Sequence, residues 1–222
     1  MLLLIIFIGG LSWFVQYKLR SKFKEFSKME LQNNLSGRDI AEKMLADHRI
    51  FDVKIISTPG QLTDHYNPLD KTVNLSQEVF EGRNIAAAAV AAHECGHAVQ
   101  HAKSYAWLNI RSQLVPTINV ISKYASFLLI GGILFFKVFP YLLLIGIILF
   151  AANVLFSFIT LPVEFDASNR ALVWLETKNV LNRQEHVKAK EALKWAASTY
   201  VVAAVGALAT LLYYLNIYNS RR

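Results

Sequence analysis

Cysteine is nearly absent from this chain. A single residue, Cys95, excludes an internal disulfide and leaves the redox compartment open. Acidic residues are also scarce, 16 against 23 lysines and arginines, so the net charge is +7. No zinc-finger spacing and no RNA-binding signature accompany that excess, and the basic residues cluster beside apolar runs. This points to anionic lipid headgroups and away from nucleic acid. The N-terminus lacks the basic n-region and small-residue cleavage site of a secretory signal, so its apolar run reads as a retained anchor. There is no internal repeat and no low-complexity tract. Charge is missing from whole stretches, and 54% of the residues are hydrophobic, too many for an ordinary soluble domain.

Those stretches suggest about four transmembrane helices. The first span, 1–17, opens with Met1 to Val15, an apolar run broken only by Ser12, and is followed at once by Lys18, Arg20, Lys22, Lys24 and Lys28. By the positive-inside rule the residues after it face the cytoplasm. A second and third span form a hairpin over 115–161. Its first limb is centred on Tyr124 to Phe136, with Lys123 and Lys137 snorkelling at the ends; Pro140 marks the turn, and Tyr141 to Leu161 is a charge-free run of 21 residues and the clearest membrane helix. Two crossings return the chain to the cytoplasmic side for a basic segment, 162–195, before a fourth span at 196–217. The expected fold is therefore a mainly α membrane protein with a small α+β domain over 18–114.

Within that domain, Ser36 and Asp39 resemble a capping box opening a helix through Ile40 and Leu45. Val53 to Ile56 reads as a strand ended by Pro59-Gly60. Leu62–Tyr66 and Thr72–Leu75 read as a hairpin around Asn67 to Lys71. Asn84 should cap the helix of Ile85 to Ala92, whose alanines are strong helix formers.

That helix carries His93-Glu94-Cys95-Gly96-His97, an H-E-x-x-H sequence, and strands followed by such a helix suit a zincin-like α+β catalytic domain over 18–114. Residues four apart share one helix face, so both imidazoles can reach one metal ion. Glu94, rotated by about 100°, is placed to meet a water instead. Cys95 points away from the metal-facing stripe, which assigns it to packing. A zinc site needs a third protein ligand. The segment Leu161 to Ala171 emerges from the third span and contains Pro162, which predicts a helix start there with acidic residues in the first turn. Glu164 is the expected ligand, with Asp166 second; two apart, they face different ways. The competing reading is that both only stabilise a helix N-terminus. His101 continues the histidine stripe, but eight residues of helix rise about 12 Å, too far to share one ion. His65 either polarises a substrate carbonyl or sits on an exposed strand. Arg170 either orients a carboxylate of the site or is a solvated helix charge.

The stretches AAHECGHAVQH, LTDHYNP and LPVEFDASNRA, with the spans around them, resemble the bacterial membrane-bound neutral zinc metallopeptidases of the YugP-like type over nearly the whole chain. More distantly they are similar to the heat-shock membrane protease and CAAX prenyl endopeptidase families, whose third ligand is a glutamate in an E-x-x-A-D-like segment; that role carries over onto Glu164. Here Ser168 stands where that segment ends in aspartate, which leaves the orienting role of that position open, with Asp166 as a substitute. The resemblance implies a multi-pass protein of the bacterial cell membrane that holds Zn2+ through His93, His97 and Glu164. Glu94 would be the general base that hydrolyses peptide bonds of membrane or membrane-proximal proteins. The alternative is a non-enzymatic zinc-binding scaffold; the oligomeric state is not legible.

Overall fold

The alanine-rich run Ile85 to Ala92 has no polar face, and a helix apolar all round is stable only when neighbours cover it on every side. In the computed structural model, which describes residues 2–221 with side chains from residue 6, this helix lies at the centre. Met1, the first residue expected in the opening span, and Arg222 lie outside the described residues. The elements in chain order are α1 (Leu2–Phe26), α2 (Gly37–Asp47), β1 (Lys54–Thr58), β2 (His65–Asn67) and β3 (Thr72–Ser76). After them come α3 (Gln77–Phe80), the central α4 (Ile85–Ala102), α5 (Ala106–Leu134), α6 (Pro140–Thr177) and α7 (Arg183–Arg221).

Local chemistry sets the boundaries. Ser36 caps α2 through a capping box: Asp39 N donates to Ser36 Oγ at 3.1 Å and Ser36 N to Asp39 Oδ2 at 2.8 Å. Asn84 caps α4 by accepting from Ala87 N at 2.9 Å. The sheet has the order β1-β3-β2, with β1 parallel and β2 antiparallel to a fully buried β3. The expected hairpin pairs His65 with Asn74 and Asn67 with Thr72. Its first strand starts later than the alternation suggests, because Gly60 (φ 99°) and Leu62 (φ 57°) take left-handed conformations that a strand cannot contain.

One large core joins α2, β3 and α4 to the C-terminal half of α6 and the N-terminal half of α7. Trp174 Nε1 donates to Asp47 Oδ2 at 2.9 Å, and Lys178 reaches the same carboxylate at 3.2 Å, tying the end of α6 to α2. A smaller cluster around Leu129, Leu143 and Ile147 joins α5 to α6. There a Cβ on Gly146 would lie 2.8 Å from the backbone N of Leu129, so the two helices touch through glycine.

Among the described residues, three helices are long and apolar enough to cross a membrane: α5, α6 and α7. The apolar part of α1 gives way to Lys18 after about 16 residues, some 24 Å of helix against a hydrocarbon core of about 30 Å. Two expectations are corrected. Helix α5 stops at Leu134, earlier than Phe136, because the chain must turn before Pro140 starts α6. Pro162 does not start a helix; it lies inside the continuous α6. The lost backbone hydrogen bond is outweighed by burial that repeats at helical spacing through Val163, Ala167, Ala171, Trp174 and Leu175.

Candidate metal centre

Helices α4 and α6 cross where Gly96 meets Ala167. A Cβ on Gly96 would lie 2.5 Å from the Ala167 carbonyl oxygen, so only glycine permits this approach. The crossing brings the two metal-motif imidazoles and the α6 carboxylate together. His93 Nε2 lies 3.3 Å and His97 Nε2 3.7 Å from Glu164 Oε2, and the three ligand atoms all fall within 4.8 Å of one another. His97 and Glu164 are buried, and the two imidazoles meet edge to face with centroids 4.8 Å apart.

Each side chain is held from behind. Ser168 Oγ lies 3.1 Å from His93 Nδ1, one helical turn beyond Glu164. Gln100 Oε1 lies 3.0 Å from His97 Nδ1. Arg111, on α5, donates to Glu164 Oε1 at 3.1 Å. Glu164 Oε2 is buried and has no hydrogen-bond partner. Burial resists ionisation of Glu164, but the adjacent imidazoles of His93 and His97 outweigh it and hold the carboxyl well below the usual carboxylate range.

This donor set fits zinc. An orphaned carboxylate oxygen facing two imidazole nitrogens is costly unless a cation or protons lie between them. Four tetrahedral bonds of 2.0–2.1 Å put donors about 3.3 Å apart, close to the observed separations. Two imidazoles and one carboxylate suit zinc better than the oxygen-seeking divalent ions.

Glu94 stays out of the cluster and lines the same cleft, whose volume is about 330 Å3. Burial pushes its carboxyl up to about 7, with the charge on His93 opposing and that on Glu164 adding to the rise. One wall of the cleft comes from β2 and its turn (His65, Tyr66, Leu69), the other from α5 (Leu108, Arg111, Val115). His65 borders the cleft, its Nδ1 donating to the Thr63 carbonyl at 2.7 Å, which leaves Nε2 as the free nitrogen.

The remaining residues singled out from the sequence lie elsewhere. Asp166 turns away from the cluster to accept from Gln100 Nε2 at 2.8 Å and from Arg170 Nε at 2.5 Å, so Arg170 pairs with a carboxylate next to the centre. His101 stands off the centre with its Nδ1 2.7 Å from Tyr66 Oη. Cys95 is buried against Ala41. Three neighbours went unrecognised in the sequence. Arg111 could have been found as one of only two charges, with Lys123, on the mainly apolar α5. Gln100 could have been found as the next polar residue on the histidine face. Tyr200, which reaches the cleft from α7, carried no signal.

The helical frame, the H-E-x-x-H helix and the carboxylate from α6 define a metallopeptidase class. The chain belongs to the family described as "Putative neutral zinc metallopeptidase", whose model matches residues 1–219. It is similar to the "Putative membrane protease YugP" of Bacillus subtilis (strain 168), with 40% identity over 213 residues, 96% of this chain and 94% of the relative. No solved structure matches.

Proposed function

We propose that this chain is a membrane-embedded, zinc-dependent endopeptidase in which His93, His97 and Glu164 hold the metal and Glu94 is the general base. The convergence of those three ligand atoms, with Glu94 lining the same cleft, carries this reading. Zinc held by His93, His97 and Glu164 would supply Lewis acidity toward water and the scissile carbonyl. Glu94, lining the same cleft, accepts the proton of the attacking water and passes it to the departing amine. Arg111 holds Glu164 Oε1 and leaves Oε2 for the metal. The β2 edge offers backbone groups to an extended peptide, in the manner of strand addition.

The architecture reads as four spans with the metal centre on the cytoplasmic side of a bacterial cell membrane, delimited as the hydropathy suggests: 1–17, 115–161 as a hairpin and 196–217, with the 18–114 domain and the 162–195 segment between them. Support for α1 as a span comes from its antiparallel match with α7. A Cβ on Gly206 would lie 2.9 Å from Ile8 Cγ2, Phe14 packs edge-on against Trp195, and Lys22 pairs with Glu191 at 3.2 Å. Apolar half lies against apolar half, and polar against polar. On this reading Glu164 sits less than one turn past the apolar run of α6, so substrates are membrane or membrane-proximal polypeptides.

The test is detergent-solubilised protein incubated with casein or an unfolded membrane protein, with and without chelator, alongside its metal content. Glu94→Gln should keep its zinc and lose hydrolysis by about 10²–10⁴-fold or more. Hydrolysis retained in a clean Glu94→Gln preparation removes the mechanism.

A further inference from the structure

Gln100 is completely buried, an expensive place for an amide unless each of its polar atoms is used. All are used. Its Nε2 donates to the Val163 carbonyl at 2.8 Å and to Asp166 Oδ2 at 2.8 Å. Both partners are pure acceptors, so the amide cannot be reversed, and Oε1 must face His97 Nδ1 at 3.0 Å. An amide oxygen only accepts; His97 Nδ1 therefore carries a proton, and its Nε2 presents toward Glu164. The two α6 groups that hold Gln100 stand immediately before and two residues after Glu164. Asp166 is in turn fixed by Arg170, whose guanidinium lies over the Tyr105 ring at 5.6 Å.

We infer that Gln100 is a positioning residue for the metal centre: one amide fixes the tautomer and rotation of His97 and locks the turn of α6 that delivers Glu164. Asp166, the sequence's second ligand candidate, acts here through Gln100. This rests on the zinc centre proposed above. Partners of this kind that orient a ligand change metal affinity by about 10–100-fold when removed.

The experiment measures zinc affinity by competition with a chromophoric chelator in the full-length detergent-solubilised protein. It compares wild type, Gln100→Met, which keeps the volume, and Asp166→Asn, which keeps an acceptor for Gln100 but loses the charge. Metal-free thermal midpoints and the visible bands of cobalt(II)-loaded samples are recorded in parallel. Gln100→Met should bind zinc about 10–100-fold more weakly with shifted cobalt bands, and Asp166→Asn should fall between it and wild type. A lower thermal midpoint with wild-type affinity and wild-type cobalt bands overturns the inference, because a purely structural amide would behave that way. A wild type that takes up zinc without hydrolysing substrate overturns the peptidase reading and leaves this comparison decisive for Gln100. A wild type that takes up no zinc overturns both.

Discussion

Replacing Gly96 with alanine tests whether the proposed metal centre depends on two helices touching. The added Cβ would sit 2.5 Å from the Ala167 carbonyl oxygen and 3.1 Å from its carbonyl carbon, where ordinary contact starts at 3.4 Å. Neither atom belongs to a flexible side chain, so α4 and α6 must separate locally by about 1 Å, the shortfall from van der Waals contact. Overpacking of this kind costs about 1–3 kcal/mol, and exchanging glycine for alanine inside a helix returns about 1 kcal/mol. Net destabilisation should therefore be modest, about 0–2 kcal/mol, and the fold should survive. The centre should not. His93 Nε2 and Glu164 Oε2 stand 3.3 Å apart across the same crossing, and metal sites tolerate distance errors of only about 0.2 Å. The assay pairs thermal denaturation of the chelator-treated protein with zinc affinity by competition titration. Gly96→Ala should melt within a few degrees of wild type yet bind zinc at least about tenfold more weakly, and Gly96→Val should be worse on both counts. Wild-type zinc affinity in a folded Gly96→Ala protein would refute the argument that this contact sets the ligand spacing.

Three further outcomes follow from the same geometry. Glu164→Ala should lower zinc stoichiometry while Asp166→Ala spares it at saturating metal; elemental analysis after dialysis decides, and the reverse result would reassign the ligand. Asn84→Ala removes the side-chain cap of α4 and should cost about 1 kcal/mol in denaturant unfolding with zinc stoichiometry intact. In metal-free protein, Glu94 favours the folded state when protonated, since burial raises its carboxyl to about 7 from an ordinary 4.5. Its contribution to stability is full below the ordinary value and is lost as pH rises through about 7. The wild-type melting temperature should accordingly fall relative to Glu94→Gln between about pH 5 and 8, and a constant difference would contradict the assigned burial.

What could be read from the chain divides by range. The caps at Ser36 and Asn84, the pairing of β2 with β3 and the H-E-x-x-H helix depend on neighbours within a few residues, where spacing alone carries the information. The juxtaposition of Glu164 with His93 and His97 spans more than sixty residues; it is legible in the sequence because two expected crossings return the chain to the side of the motif. The local reading of that segment nevertheless failed. Pro162 looks like a helix start only if the helix is judged by its backbone, whereas α6 continues because its buried face packs on α4 through Val163, Ala167 and Ala171. Ser168 shows the same limit from the other direction. It occupies the place of an expected aspartate, yet its hydroxyl reaches His93 Nδ1 because Gly96 lets the helices approach.

The continuity of α6 bears on how the proposed enzyme would work. A ligand on a short helix hinged at Pro162 would be free to shift with its loop. Glu164 instead lies on one rod that starts at Pro140, touches α5 through Gly146 and ends on α2 through Trp174 and Asp47. Arg111 fastens the same carboxylate to α5, a second helix long and apolar enough to cross a membrane. The Glu164 carboxylate is thus braced by the apolar helices and the imidazoles of His93 and His97 by the α2–β3–α4 core, so any tilt of α5 and α6 against that core changes their spacing directly. With spans where the hydropathy places them, the membrane-spanning part acts as one half of the metal site's scaffold as well as an anchor. Zinc affinity should then respond to the thickness of the surrounding bilayer, and equal affinity in vesicles of short-chain and long-chain lipids would contradict this coupling.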